Sequence, residues 1–377
     1  MTGPLTGLRV PVGALGVREE LGTGGQGRVY LIANDVLRRP YPLVYKEYNA
    51  ESRGRLEVQA LEAMVGAPLA ADLVDRLAWP LALVERGGDV CGFLMRRIPR
   101  PFYMQMRLLR QDRFVPGEVQ HFLTDDGILT KRRLPINDRW RLAFLRDTAE
   151  TIDRLHRLDI AVGDLSPKNL LISLTERPSC FFIDCDAMRV GSRSVLPQVE
   201  TTSWQLPTAD ETTGTAGSDA FKFGLLAIRL AAGDLDTLDP AALRRIAPDL
   251  GWLAERALAT DPAQRPGFDE WLTALDAAMP GASVRLSWQT FAGAPLPVTV
   301  PRPMSPPGPP ATRPAAAFTP PPLAAQQLAR PTAHPLPSMP QPSPTGANAN
   351  QILIATLIGL GLLIFVCIII GVALSPG

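Results

Sequence analysis

The apolar positions of this 377-residue chain change period along its length. In the N-terminal part they fall in short runs broken by turn residues. Val29 to Ala33, Pro42 to Tyr48, Leu81 to Glu85 and Val90 to Met95 predict strands, and Val17 to Leu21 predicts a further short one. Gly87-Gly88, between the third and fourth of these runs, predicts a hairpin turn. Glu51 to Val65 carries Leu56, Ala60 and Met64 at helical spacing and predicts a helix. Further on the period lengthens. Arg139 to Leu158 places Leu142, Leu145, Ala149, Ile152 and Leu155 on one helical face. Ser218 to Ala232 predicts a more apolar helix and Phe268 to Ala278 a shorter one. Strands followed by helices predict an α+β domain over residues 14–280.

The pattern stops after that domain. From about Pro295 to Asn350 the chain is rich in Pro, Ala, Gln, Ser and Thr, and clusters such as Pro320-Pro321-Pro322 fit neither helix nor sheet. Residues 281–350 therefore read as a disordered, semi-rigid linker. Its PxxP-like stretches would suit a partner with an aromatic groove, although the spacer role is preferred. Ile352 to Leu374 is an uncharged run of 23 residues. As a helix it would span roughly 35 Å, enough to cross a hydrocarbon core of about 30 Å. Every Arg and Lys precedes it, so the expected topology is a single-pass C-terminal anchor with the folded domain cytoplasmic. No charged and apolar leader is visible at the N-terminus.

Composition narrows the functional classes. A net charge of +1 argues against nucleic acid as a partner. The four Cys form no CxxC pair and the three His lie far apart, which disfavours structural zinc and a disulfide framework. Only four of the 38 basic residues are Lys: Lys46, Lys131, Lys168 and Lys222. In so Arg-rich a chain, a retained Lys marks a position that needs an ammonium.

Four motifs carry chemistry. Gly22-Thr23-Gly24-Gly25-Gln26-Gly27-Arg28-Val29 is a glycine-rich turn of the kind that brings backbone N–H groups to phosphate oxygens. A strand follows it, where a dinucleotide fold would need a helix. Lys46 lies on the next strand, placed to pair with nucleotide phosphates. Asp164-Leu165-Ser166-Pro167-Lys168-Asn169 spaces a carboxylate and an amide as a general base and a metal ligand require. Cys180 to Asp186 is an apolar strand ending in Asp184, a carboxylate suited to magnesium.

In this order the motifs resemble the protein-kinase superfamily, over residues 14–280. Ser218-Asp219 to Gly224 and Asp261-Pro262 to Arg265-Pro266 extend the resemblance. It implies a two-lobed fold, an N-lobe over about 14–98 and a C-lobe over about 99–280. It also implies ATP and magnesium as cofactors and a Ser/Thr protein substrate. By the same resemblance, Gly22, Gly24 and Gly27 would cover the phosphates, Val29 would join them in binding the cofactor, and Lys46 would hold the α- and β-phosphates. Asp164 would be the base, Asn169 and Asp184 would hold magnesium, and Lys168 would reach the γ-phosphate. The helix acid that should pair with Lys46 is Glu57 or Glu62. Asp219 would brace the catalytic loop.

Departures are also visible. Val162-Gly163 stands where the family has His-Arg, and Cys185-Asp186 where it has Phe-Gly. The Ala-Pro-Glu position reads as Leu206-Pro207-Thr208, leaving Arg265 without a Glu partner. An Arg-rich insert at 99–138 reads as a solvated surface loop, with docking to an anionic surface as the alternative. With Gly163 in place of Arg, phosphorylation of Thr201, Thr202 or Ser203 is not expected to be the principal switch. The rival readings are a nucleotide-binding pseudokinase that signals by shape and a small-molecule kinase on a related fold.

Overall fold

A computed structural model describes residues 8–16, 18–108, 111–134 and 136–285. The expected membrane helix at 352–374 and nearly all of the linker lie outside these residues. No helix among the described residues is long and apolar enough to cross a membrane. The chain is α+β, as its periodicity predicts.

The first part is a six-stranded sheet. Its strands are β1 (Arg9–Pro11), β2 (Arg18–Gly24), β3 (Gly27–Ile32), β4 (Leu43–Tyr48), β5 (Ala82–Arg86) and β6 (Asp89–Arg96). They are ordered β1-β5-β6-β4-β3-β2, antiparallel except for the parallel pair β1–β5. Gly87 and Gly88 make the β5–β6 turn at φ 64° and 96°, a left-handed pair that glycine adopts without strain. The glycine-rich turn joins β2 to β3.

The single helix expected over Glu51 to Val65 is two: α1 (Ala50–Gly54) and α2 (Val58–Val65). Gly54 weakens the helix locally. The Glu57 N–H then leaves the helical ladder and donates to the Val195 carbonyl at 2.9 Å. A contact from far along the chain overrides the local pattern. A short α3 (Ala71–Val74) leads into β5.

The insert is also more ordered than expected. It forms a hairpin of β7 (Tyr103–Leu108) and β8 (Gln111–Pro116), followed by α4 (Asp126–Arg132). Met104 and Met106 face the core, while Gln105 and Arg107, which alternate with them, are exposed. Gly117 ties the hairpin to the rest. Its N–H donates to Phe102 O and its carbonyl accepts from Ile172 N, both at 2.8 Å.

The second part is built on α5 (Asp138–His156), close to the predicted bounds and capped by Asn137. Short strands follow: β9 (Ile160–Ala161), β10 (Leu170–Ile172), β11 (Cys180–Phe182), β12 (Arg189–Val190) and β13 (Arg193–Ser194). The helices α6 (Ala216–Ala232), α7 (Ala241–Ile246), α8 (Pro248–Ala257) and α9 (Phe268–Ala278) complete it. A Thr215/Ser218 capping box starts α6, and Gly233 at φ 65° ends it. Nearly every side chain of α6 is buried, so this helix is the axis of the second part.

Helix α6 packs tightly at Gly224, where an added Cβ would lie 2.4 Å from Ala257 Cβ on α8. Replacement by a branched residue must push the two helices apart. Gly224→Val is expected to destabilise the fold by about 1–3 kcal/mol, read from urea unfolding monitored by circular dichroism. An unchanged midpoint would contradict this packing.

Candidate active site

Lys46 lies on β4, opposite Val29 on β3 and Phe93 on β6, and is only 4% exposed. A buried ammonium needs acceptors, and all of these come from distant segments. It donates to Asp186 Oδ1 at 2.7 Å and Oδ2 at 2.8 Å, to Asp184 Oδ1 at 3.2 Å and to Gln26 Oε1 at 3.0 Å. Tyr48 donates its hydroxyl to Asp186 Oδ2 at 2.8 Å. Burial opposes the charge on Lys46, but Asp186 and Asp184 outweigh it and hold its pKa above the ordinary lysine value. Burial pushes the Tyr48 hydroxyl well up, and Asp186 adds to this, so Tyr48 remains a donor.

The chain after β11 explains how two carboxylates reach one ammonium. Phe181 and Phe182 anchor the strand in the core, and the Cys185 side chain is buried just beyond. Between them Asp184 takes left-handed backbone angles, φ 52° and ψ 40°. Such a conformation costs a non-glycine residue on the order of 1–3 kcal/mol, and it is found where function constrains the chain. The Ala187 N–H closes the turn on Asp184 O at 3.0 Å. Asp184 keeps half of its carboxylate exposed, while Asp186 is almost fully buried.

The loop from Val162 to Asn169 joins β9 to β10 beside this turn. Its start is held by Asp219 at the N-terminal end of α6. Asp219 accepts from Val162 N at 2.7 Å, Gly163 N at 2.9 Å and His156 Nε2 at 2.8 Å. Asn169 ends the loop. Its Nδ2 donates to Asp164 Oδ2 at 2.7 Å, and its carbonyl accepts from Ile183 N at 2.9 Å. That backbone bond places Asn169 next to Asp184. Thr201 Oγ1 donates to Asp164 Oδ1 at 3.2 Å. Burial raises the Asp164 pKa above the usual carboxylate value, and the Lys222 ammonium partly offsets this.

These contacts bring Val29, Lys46, Asp164, Asn169 and Asp184 together, while Gly22, Gly24 and Gly27 lie on the β2–β3 hairpin whose turn carries Gln26. Two depart from expectation. Glu57 does not pair with Lys46. It stands at the N-cap position of α2 and makes no side-chain capping bond, and Glu62 pairs with Arg9. The partner of Lys46 is Asp186, and the signal for it was an acid at the second position after Asp184. Lys168 is exposed and has no hydrogen-bond or ion-pair partner among the described residues. Its charge lies near Glu118, and the cation acting on Asp164 is Lys222. The glycines also divide by role. A Cβ on Gly27 would sit 2.0 Å from Glu47 O, so this glycine serves sheet packing, whereas Gly22 and Gly24 face open space.

Arg265 has a Glu partner after all. Its two terminal nitrogens donate to Glu211 at 2.5 and 2.7 Å, one of them also to Gly217 O, and its Nε donates to Ala259 O. Glu211 lies beyond Pro207 by more than the expected spacing, which hid it.

A surface cleft lined by Leu31 to Asp35 and Arg39 to Leu43 contains none of these groups. The region around Lys46 is instead covered by Gln26. Its turn is tied down by Asn49, through Asn49 Nδ2 to Gly25 O at 2.7 Å and Asn49 N to Gln26 O at 3.0 Å.

Asp184 and Asn169 offer hard oxygen donors on adjacent strand ends. No cluster of three or more His, Cys, Asp or Glu able to hold a metal occurs among the described residues. A pair of oxygen donors suits magnesium, which is seldom held in an all-protein cage and draws its remaining ligands from phosphates and water. A scan against models of known protein families finds no match for the chain.

Removing Arg265 would leave Glu211 charged and buried without a partner. Arg265→Met is expected to cost about 3–5 kcal/mol in chemical denaturation, and more than Glu211→Gln/Arg265→Met together. A double variant as unstable as the sum of the two singles would mean the pair is not coupled.

Proposed function

We propose that the described domain is an ATP- and magnesium-dependent phosphotransferase of the protein-kinase type. It would have two lobes and act on a Ser or Thr hydroxyl of a protein substrate. One observation carries this reading: Lys46 and Asp184, 138 positions apart, meet at 3.2 Å, with the Asp164–Asn169 loop hydrogen-bonded alongside. A strand ammonium, a strand-end carboxylate and a base-bearing loop are the groups that phosphoryl transfer requires.

Each residue has a stated task. Lys46, steadied by Asp186 and Tyr48, would hold the nucleotide phosphates once Gln26 swings away. Asn169 and Asp184 would hold magnesium, which when bound neutralises charge developing on the phosphates. Asp164 would accept the proton of the attacking hydroxyl, oriented for this by Asn169. Val29, on the strand beside Lys46, would offer apolar contact to the nucleotide. The apolar run at 352–374 would tether the domain to the cytoplasmic membrane.

A second reading has a specific observation in its favour. Every acceptor of Lys46 is already supplied by the protein, so a nucleotide-binding scaffold without transfer activity is the rival. The two separate on one variant. With Asp164→Asn in the full-length chain, phosphotransfer from radiolabelled ATP is expected to fall by about a thousandfold. Magnesium-dependent nucleotide affinity is expected to hold. Asp184→Asn should abolish both. Wild-type binding without transfer would establish the scaffold, and absence of nucleotide binding would overturn both readings.

The new partner of Lys46 makes its own prediction. Asp186→Asn should weaken nucleotide binding by about tenfold, a loss of about 1.4 kcal/mol, while Glu62→Gln leaves it unchanged. Calorimetric titration with ATP and magnesium reads both, and the reverse ranking would return the role to the helix.

A further inference from the structure

Lys222 stands in the middle of α6, fully buried, and takes no part in the chemistry assigned above. An ammonium out of water persists only where its charge and its donors are met. Two partners meet it, from two different segments. Gly163 O accepts at 2.9 Å, and Glu200 Oε1 lies at 3.2 Å. Glu200 in turn accepts from the Leu206 N–H at 3.1 Å, and Trp204 N donates to Thr201 O at 2.9 Å. Residues 200–206 thus form one folded unit with Glu200 at its inner end. Trp204 is buried there beneath the Arg229 guanidinium, 4.7 Å from its ring centre. Thr201, the next residue, reaches Asp164.

The position before Asp164 has no side chain to supply such a clamp. Gly163 adopts φ 72°, and a Cβ there would meet Gln198 Oε1 at 2.7 Å. The cation therefore has to come from elsewhere, and α6 provides it.

We propose that Lys222 is a positioning residue that fastens residues 198–206 to the Asp164 loop through Glu200, so that a carboxylate of the chain itself holds this segment in its working place. The proposal rests on the reading of Asp164 as the catalytic base. It makes the segment ordered without phosphate. A phosphate on Thr201 would bring further negative charge between Asp164 and Glu200, and would loosen the segment rather than order it.

Hydrogen exchange and steady-state kinetics on the full-length chain test this. In Lys222→Met and in Glu200→Gln, backbone amides of residues 198–206 should exchange at least about tenfold faster, with α5 and α9 unaffected. With Asp164 no longer met by an ordered segment, kcat should fall by about a hundredfold, while KM for ATP stays within about twofold. Unchanged exchange over 198–206 in Glu200→Gln would overturn the proposal, and so would faster exchange with unaltered kcat. If Lys222→Met fails to fold, the Glu200→Gln pair of measurements decides alone. A wild-type chain that binds no nucleotide would overturn the functional reading, and the exchange measurement would still decide whether Lys222 docks the segment.

Discussion

The second part of the domain is organised around one carboxylate buried away from solvent. Asp219 is fully buried, and its two oxygens accept from two consecutive backbone N–H groups and from a histidine. A buried carboxylate is tolerated only when such donors replace its hydration. Meeting that requirement fixes three things together. His156 brings the C-terminal end of α5, Val162 and Gly163 bring the start of the Asp164 loop, and α6 carries Asp219 itself. The first turn of α6 adds its own positive dipole end to the stabilisation. Once this junction is set, Asp164 has little freedom of position.

The first part is joined to the second by a different electrostatic device. Lys46 comes from the sheet, and both of its carboxylate partners come from one turn after β11. Both carboxylates that meet Lys46 lie within three residues of one another, and neither comes from a helix that packs on the sheet. Helix α2 is thereby released from the Lys46 site. Its start is anchored to Val195 and its Glu62 is engaged with Arg9. The left-handed backbone at Asp184 is the local cost of that concentration.

Much of this was legible in the sequence, and the failures have physical causes. Strands β3 to β6 and helices α5, α6 and α9 follow their periodicity because their apolar faces are buried by their own pattern. The break between α1 and α2 was not legible, since it depends on a hydrogen bond to Val195. The β7–β8 hairpin did alternate, with Met104 and Met106 inside, but arginines at its exposed positions made it read as a loop. Lys46, Asp164, Asn169 and Asp184 were singled out because phosphoryl-transfer chemistry demands particular residue types in a fixed order, and the structure brings these four together. Glu211 and the partners of Asp186 and Lys222 were missed because those contacts are tertiary, and an acid or a lysine at those positions has no local signature. The scarcity of lysine did single out Lys222, but its partners, Gly163 and Glu200, lie far from it in sequence.

Gln26 gives the glycine-rich turn a second character. It sits on Lys46 at 3.0 Å while Asn49 holds the turn by two further hydrogen bonds. On the proposed function, a nucleotide entering this region would meet an occupied ammonium, and its arrival would be coupled to the departure of an amide. Such a site would be gated by its own turn, with the Asn49 hydrogen bonds setting how readily that turn lifts.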